Sequence, residues 1–203
     1  MIPTALVAVP TAALMATRLG LFTALHLVPS GYSPVRHAVS DYAVGRTRPL
    51  STAMTWVGAA AWAGLAGTVA LALPTWEHRT STVTWLLVLA ALFVVLPHLP
   101  TDLEGAPRTR TGTLHLIAAV AWFAISYSLT GTFADALTGT AVGTALHLLH
   151  LLAAASLTCL VIALVVPHLR RRAFGLSERV FLVTIAVSYL LVTIGLVTSL
   201  PGH

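Results

Sequence analysis

Six stretches of this chain, at about 4–28, 51–73, 83–99, 112–133, 141–167 and 179–200, are apolar over roughly the length that crosses a bilayer. Spanning the hydrocarbon takes about 20 mostly apolar residues. Backbone polar groups find no water there, so an apolar span of this kind must close its hydrogen bonds as a helix. The sequence therefore predicts an all-α fold, a polytopic bundle of six transmembrane helices. No soluble insert separates the runs, so residues 1–203 read as a single membrane domain. Composition agrees: 57% of residues are hydrophobic and 8% charged, against about 45–50% and about 25% in soluble domains. The N-terminus is apolar from Ile2 with no basic region ahead of it, which reads as a first span and not a cleaved signal.

The basic residues set the expected topology. The chain has no lysine, and its 11 basic residues are all arginine. Nine of them (Arg36, Arg46, Arg48, Arg108, Arg110, Arg170, Arg171, Arg172 and Arg179) lie in or beside the first, third and fifth loops. Arg79 alone lies in an even loop. By the positive-inside rule the odd loops face the cytoplasm and both termini lie outside, in a multi-pass protein of the cell membrane. Trp76 and Trp85 flank the second loop as an aromatic belt would. The net charge of +5 then serves topology and anionic headgroups, not nucleic acid. Membrane lipids are the expected partners, with a homo-oligomer left open. Ser51, Thr111 or Thr113, and Ser177 followed by Glu178 are placed to cap the second, fourth and sixth helices at the cytoplasmic face.

The polar residues concentrate at two corners. In the first loop, residues 33–45 read SPVRHAVSDYAVG. Ser33, Pro34 and Gly45 outline a short helix with Val35, Val39 and Tyr42 on one face and Arg36, His37, Ser40 and Asp41 on the other. It is expected to lie along the interface, with His37 and Asp41 one turn apart and able to touch. HAVSD at 37–41 is echoed by HLPTD at 98–102, and each is followed by a glycine (Gly45, Gly105) and then R-T-R, at 46–48 and 108–110. A weaker third copy is His168, three arginines and Gly175. The echo suggests repeated helical hairpins with polar cytoplasmic corners.

Three kinds of chemistry could use these residues. His37, His98 and His115 with Asp41 or Asp102 could bind a metal or move protons in an intramembrane enzyme, although each Asp could equally cap a helix. Arg18 stands inside an apolar run, about ten residues before its end. A charge so placed costs a few kcal/mol and is expected to face the bundle with a partner. That partner would be Asp41, Asp102 or a bound anionic headgroup, unless Arg18 snorkels to the interface. His147 and His150 share a face of the fifth span. They suit interhelical hydrogen bonding, with Thr144 and Ser156 nearby, more than a haem, which would need an opposing His. A transporter could use them with Arg18 to line a path. Cys159 stands alone, so neither a disulfide nor a Cys-based metal site is implied, and no cofactor is called for. Gly58, Gly64 and Gly67 mark close packing by the second helix.

Ser40, Asp41 and Gly45, followed later by Pro100, Asp102 and a span-opening His115, give the chain a resemblance to the prokaryotic domain-of-unknown-function family 998. The Ser-Asp-x-x-x-Gly corner is also similar to that of the Frag1/DRAM/Sfk1-type membrane proteins, some of which handle lipids. The resemblance implies a six-span fold and points to the same corner residues, without a reaction. The leading expectation is a protein that binds or handles a lipid through Arg18, Ser40, Asp41, Asp102, Arg108, Arg110 and His115. A metal-dependent enzyme and a small transporter stand as alternatives.

Overall fold

A computed structural model describes residues 2–103 and 106–198. Its six long helices are α1 (Ile2–Leu27), α2 (Arg48–Ala72), α3 (Arg79–Val95), α4 (Arg110–Ala136), α5 (Ala141–Val165) and α6 (Pro167–Thr198). All six are long and apolar enough to cross a membrane. Consecutive helices pack as neighbours, and α6 returns against α1 to close the bundle. α6 also reaches across to α2 and α4. It is the most buried of the six and α2 the next, so these two form the axis that the others surround.

An aromatic core holds them together. Tyr189 of α6 meets the Trp62 ring of α2 edge-on at 4.5 Å between centroids. Its hydroxyl donates to the Ser126 carbonyl of α4 at 2.7 Å, so one side chain ties three helices. Trp122 of α4 stacks on Phe93 of α3 at 5.0 Å. The expected close packing of α2 is present. A side chain at Gly64 would meet the Thr11 hydroxyl of α1, and one at Gly58 would meet the Phe93 ring at 2.6 Å.

Five of the six span starts fall within a turn or so of expectation; the sixth does not. α6 begins at Pro167, twelve residues before the expected 179, and the fifth loop shrinks to Val166. Proline suits a first helical position because its missing N–H has no intrahelical partner there. Polar residues ended the apolar run at 167 without ending the backbone helix, so Ser177 lies inside α6 and is no N-cap. Residues 199–200 of the expected sixth span, and Gly105 of the second corner, lie outside the described residues.

Two other caps move. Thr109, not Thr111 or Thr113, caps α4 by accepting from the Gly112 N–H at 3.0 Å. α2 starts at Arg48 with Pro49 in its first turn, so Ser51 sits within it. Arg79, the lone arginine of the even loops, donates from Nε to the Ala70 carbonyl at 3.2 Å. It thereby satisfies a group that the end of α2 leaves open.

The first loop contains helical structure of a shorter and tighter kind than expected. Two 3-10 turns, Val39–Ala43 and Gly45–Thr47, replace a single helix from Pro34. Gly45, at φ +70°, makes the bend between them that side chains resist. The segment packs inward, burying Val39, Asp41 and Tyr42.

Candidate functional site

The loop docks on the first turns of α6. The Gly175 N–H donates to the Val35 carbonyl at 3.0 Å, and a side chain at Gly175 would lie 2.5 Å from the His37 carbonyl oxygen and 2.7 Å from that of Pro34. Only glycine lets the backbones approach so closely. Three residues on, the Val39 N–H donates to Glu178 Oε2 at 2.7 Å. Arg179 then donates from Nη1 to the His37 and Gly175 carbonyls, both at 2.8 Å, and from Nε to His26 Nε2 at 2.7 Å. The His26 Nδ1 faces the Phe22 carbonyl at 2.7 Å. A carbonyl only accepts, so Nδ1 carries the proton and Nε2 is the acceptor that Arg179 requires. Glu178 and Arg179 read in sequence as a cap and a topology marker. They are instead buried residues, 7% and 8% exposed, that fix the loop.

Beneath the docked loop lies a cavity of about 690 Å³. Val39, Ser40 and Val44 of the loop roof it, and His98, Thr101 and His115 stand at its edge. Phe93, Trp122 and Leu182 form its inner wall. Leu116 and Val120 of α4 and Val161 and Leu164 of α5 line it too. These four are also among the exposed apolar side chains of the bundle, so the cavity opens sideways between helices as well as toward the end that bears the odd loops.

Arg18 lies in this cavity. It is 7% exposed, with its guanidinium carbon 5.1 Å from the Phe93 ring centre and 5.9 Å from that of Trp122. Its Nε is buried without a hydrogen-bond partner. Among the described residues no carboxylate pairs with it, so the expected partnership with Asp41 or Asp102 is not formed. The Trp122 indole N–H beside it is also buried without an acceptor. The aromatic faces attract a cation but cannot accept the hydrogen bonds of a guanidinium.

A family model described as a protein of unknown function, DUF998, matches residues 7–195. The chain belongs to that family. No curated protein and no solved structure matches it. Family membership covers the bundle and the cavity together, and it supplies no reaction or ligand.

The other expected site residues divide into two groups. Ser40 and His115 line the cavity with Arg18. The Nδ1–H of His115 donates to the Leu99 carbonyl at 2.7 Å, which leaves Nε2 as the ring atom able to meet a ligand. Asp41 is buried, accepts from the Ala38 N–H at 3.0 Å, and lies within electrostatic reach of both His115 and Glu178. Asp102 also acts on His115 through space but does not line the cavity. It organises the start of α4. Its carboxylate accepts from the Thr109 N–H at 2.9 Å and from the Thr109 hydroxyl at 2.7 Å, and it fills the place a side chain at Gly112 would take. The Thr109 backbone bond, then its hydroxyl, hold Asp102 below the ordinary carboxylate range. Arg108 and Arg110 are exposed outside the cavity.

His37 accepts from the Ser33 N–H at Nδ1, 2.8 Å away. Among the described residues no three His, Cys, Asp or Glu side chains are grouped to hold a metal ion. The fifth-span histidines stand apart from the cavity. His150 Nδ1 lies 2.7 Å from the Thr130 hydroxyl oxygen, whose own hydrogen goes to the Tyr127 carbonyl. The imidazole therefore donates, and it stacks on Tyr127 at 4.4 Å. This is the expected helix-to-helix bond. Thr144 and Ser156 instead donate within their own helix.

Proposed function

We propose that this protein binds an amphiphile that carries an anionic group in its head, a lipid or lipid-like molecule, in the cavity. Its charged group rests on Arg18 and its chain runs along the α4–α5 wall. The observation that carries this reading is a buried cation with no carboxylate partner among the described residues, in a chamber walled mostly by apolar side chains. An arginine at mid-helix costs about 2.5–3.5 kcal/mol on insertion scales. Membrane proteins place such charges toward the bundle interior, where a partner offsets the cost. An anionic group in the lipid head supplies that partner, and the sideways opening along Leu116, Val120, Val161 and Leu164 provides its route from the bilayer. Ser40 and the Nε2 of His115 offer further hydrogen bonds to the headgroup.

The arginine asymmetry supports an orientation with this end of the bundle at the cytoplasmic face of the cell membrane and both termini outside. There Arg108 and Arg110 meet anionic lipids of the inner leaflet. Native mass spectrometry of protein extracted in mild detergent tests the reading. The wild type is expected to retain about one phospholipid per chain and Arg18→Met none. Equal retention by the two would overturn it.

A further inference from the structure

The cavity contains a second charge. Glu178 lines it together with Arg18 and is equally buried, 7% exposed. One carboxylate oxygen, Oε2, receives the Val39 N–H. The other, Oε1, has no hydrogen-bond partner among the described residues, and no ion pair joins Glu178 to Arg18. Arg179, the cation next along the helix, lies within electrostatic reach of Glu178 but directs Nε and Nη1 to His26 and two carbonyls, with Nη2 buried and unpartnered among the described residues. The cavity thus holds an acid and a base of opposite charge that are buried together and kept apart.

Desolvating two charges costs several kcal/mol each unless their attraction and hydrogen bonds repay it. Direct pairing would be the simplest relief. Along α1, Arg18 precedes His26, the Arg179 acceptor, by eight residues, an axial separation of about 12 Å. Glu178 adjoins that upper level, next to Arg179 on α6, while the Arg18 guanidinium lies against Phe93 and Trp122. What remains is a gap for a group carrying both signs, with charge-assisted contacts of about 2.7–2.9 Å at each end.

We infer that the cavity selects a zwitterionic amino-phosphate headgroup, its phosphate on Arg18 and its primary ammonium on Glu178 Oε1. This rests on the reading of the cavity as an amphiphile site. Arg18 then supplies affinity for any phospholipid, while Glu178 supplies the choice among them. A purely anionic headgroup leaves Glu178 unmatched and repelled. A quaternary ammonium matches its charge but has no N–H to donate.

The test is binding of three probes with the same acyl chains, dioleoyl phosphatidylethanolamine, phosphatidylcholine and phosphatidylglycerol, to delipidated protein in detergent. The wild type is expected to bind the ethanolamine lipid at least about tenfold more tightly than either other, the scale of one charge-assisted hydrogen bond. Glu178→Gln keeps an oxygen for the Val39 N–H, so the loop stays docked. It is expected to abolish the preference and leave phosphatidylglycerol binding unchanged or stronger. Arg18→Met should weaken all three. Equal binding of the three by the wild type, or a preference that survives Glu178→Gln, overturns the headgroup assignment and leaves the amphiphile reading standing. Failure of all three to bind the wild type overturns both.

Discussion

Arg18→Met should leave the stability of the empty protein nearly unchanged and make the lipid-bearing protein less stable. Methionine keeps an unbranched side chain of similar reach and removes the charge. On insertion scales the lost charge relieves roughly 3 kcal/mol. Against this, Arg18, 7% exposed, contacts two aromatic faces, at 5.1 Å and 5.9 Å, each worth about 2 kcal/mol for a desolvated cation. The two effects nearly cancel, so the empty variant is expected to lie within about 1–2 kcal/mol of the wild type. A ligand at about a hundred times its Kd stabilises a protein by about 2.7 kcal/mol, so adding phospholipid should lift the wild type above the variant. The assay is unfolding of delipidated protein in mixed detergents as sodium dodecyl sulfate increases, repeated with added phosphatidylethanolamine. Loss of more than about 2 kcal/mol in the empty variant would mean that Arg18 holds the bundle together. Equal stabilisation of both proteins by lipid would remove its role in binding.

Gly58→Ala places a methyl group 2.6 Å from the Phe93 ring and 2.9 Å from Arg18 Cδ. Overpacking of this kind costs about 1–3 kcal/mol, and a weaker lipid affinity beside a lowered melting temperature is the expected result. Gly175→Ala forces a methyl group against the His37 and Pro34 carbonyls, which belong to backbone and yield poorly. The loop should undock, seen as faster tryptic cleavage after Arg36 at unchanged helix content. Asp102 is held below its ordinary pKa by Thr109. Its ionised form therefore adds stability above about pH 4, and that stability is lost as pH falls through the lower folded value. Melting temperatures from pH 6 to pH 2.5 should show this acid-side loss for the wild type and a smaller one for Asp102→Asn.

The spans were readable because bilayer thickness fixes a length and hydrocarbon forbids unpaired backbone. These constraints act on each segment separately and need no knowledge of its neighbours. The start of α6 was not readable, because Arg170–Arg172 and Glu178 end an apolar run while leaving the helix intact. For the same reason Glu178 and Arg179 passed as surface residues. An adjacent acid and base three residues past a glycine was the available signal, and its meaning depended on a loop more than 130 residues away. Arg18 was readable as a buried charge from its position alone. That no carboxylate among the described residues pairs with it was not, since that required placing α1 against Phe93 and Trp122. Asp102 showed the reverse: its spacing from the α4 start was visible, and the ordinary role of organising a helix terminus is the one its geometry supports.

In the proposed site a headgroup, not a protein side chain, neutralises Arg18. A crystal structure from lipidic mesophase doped with a phospholipid brominated on its acyl chain tests it most directly. Headgroup density is expected within hydrogen-bonding distance of the Arg18 guanidinium, with an anomalous bromine signal along the wall formed by Leu116, Val120, Val161 and Leu164. A cavity without lipid, with Arg18 turned into an ion pair with Glu178 or Asp41, would contradict it.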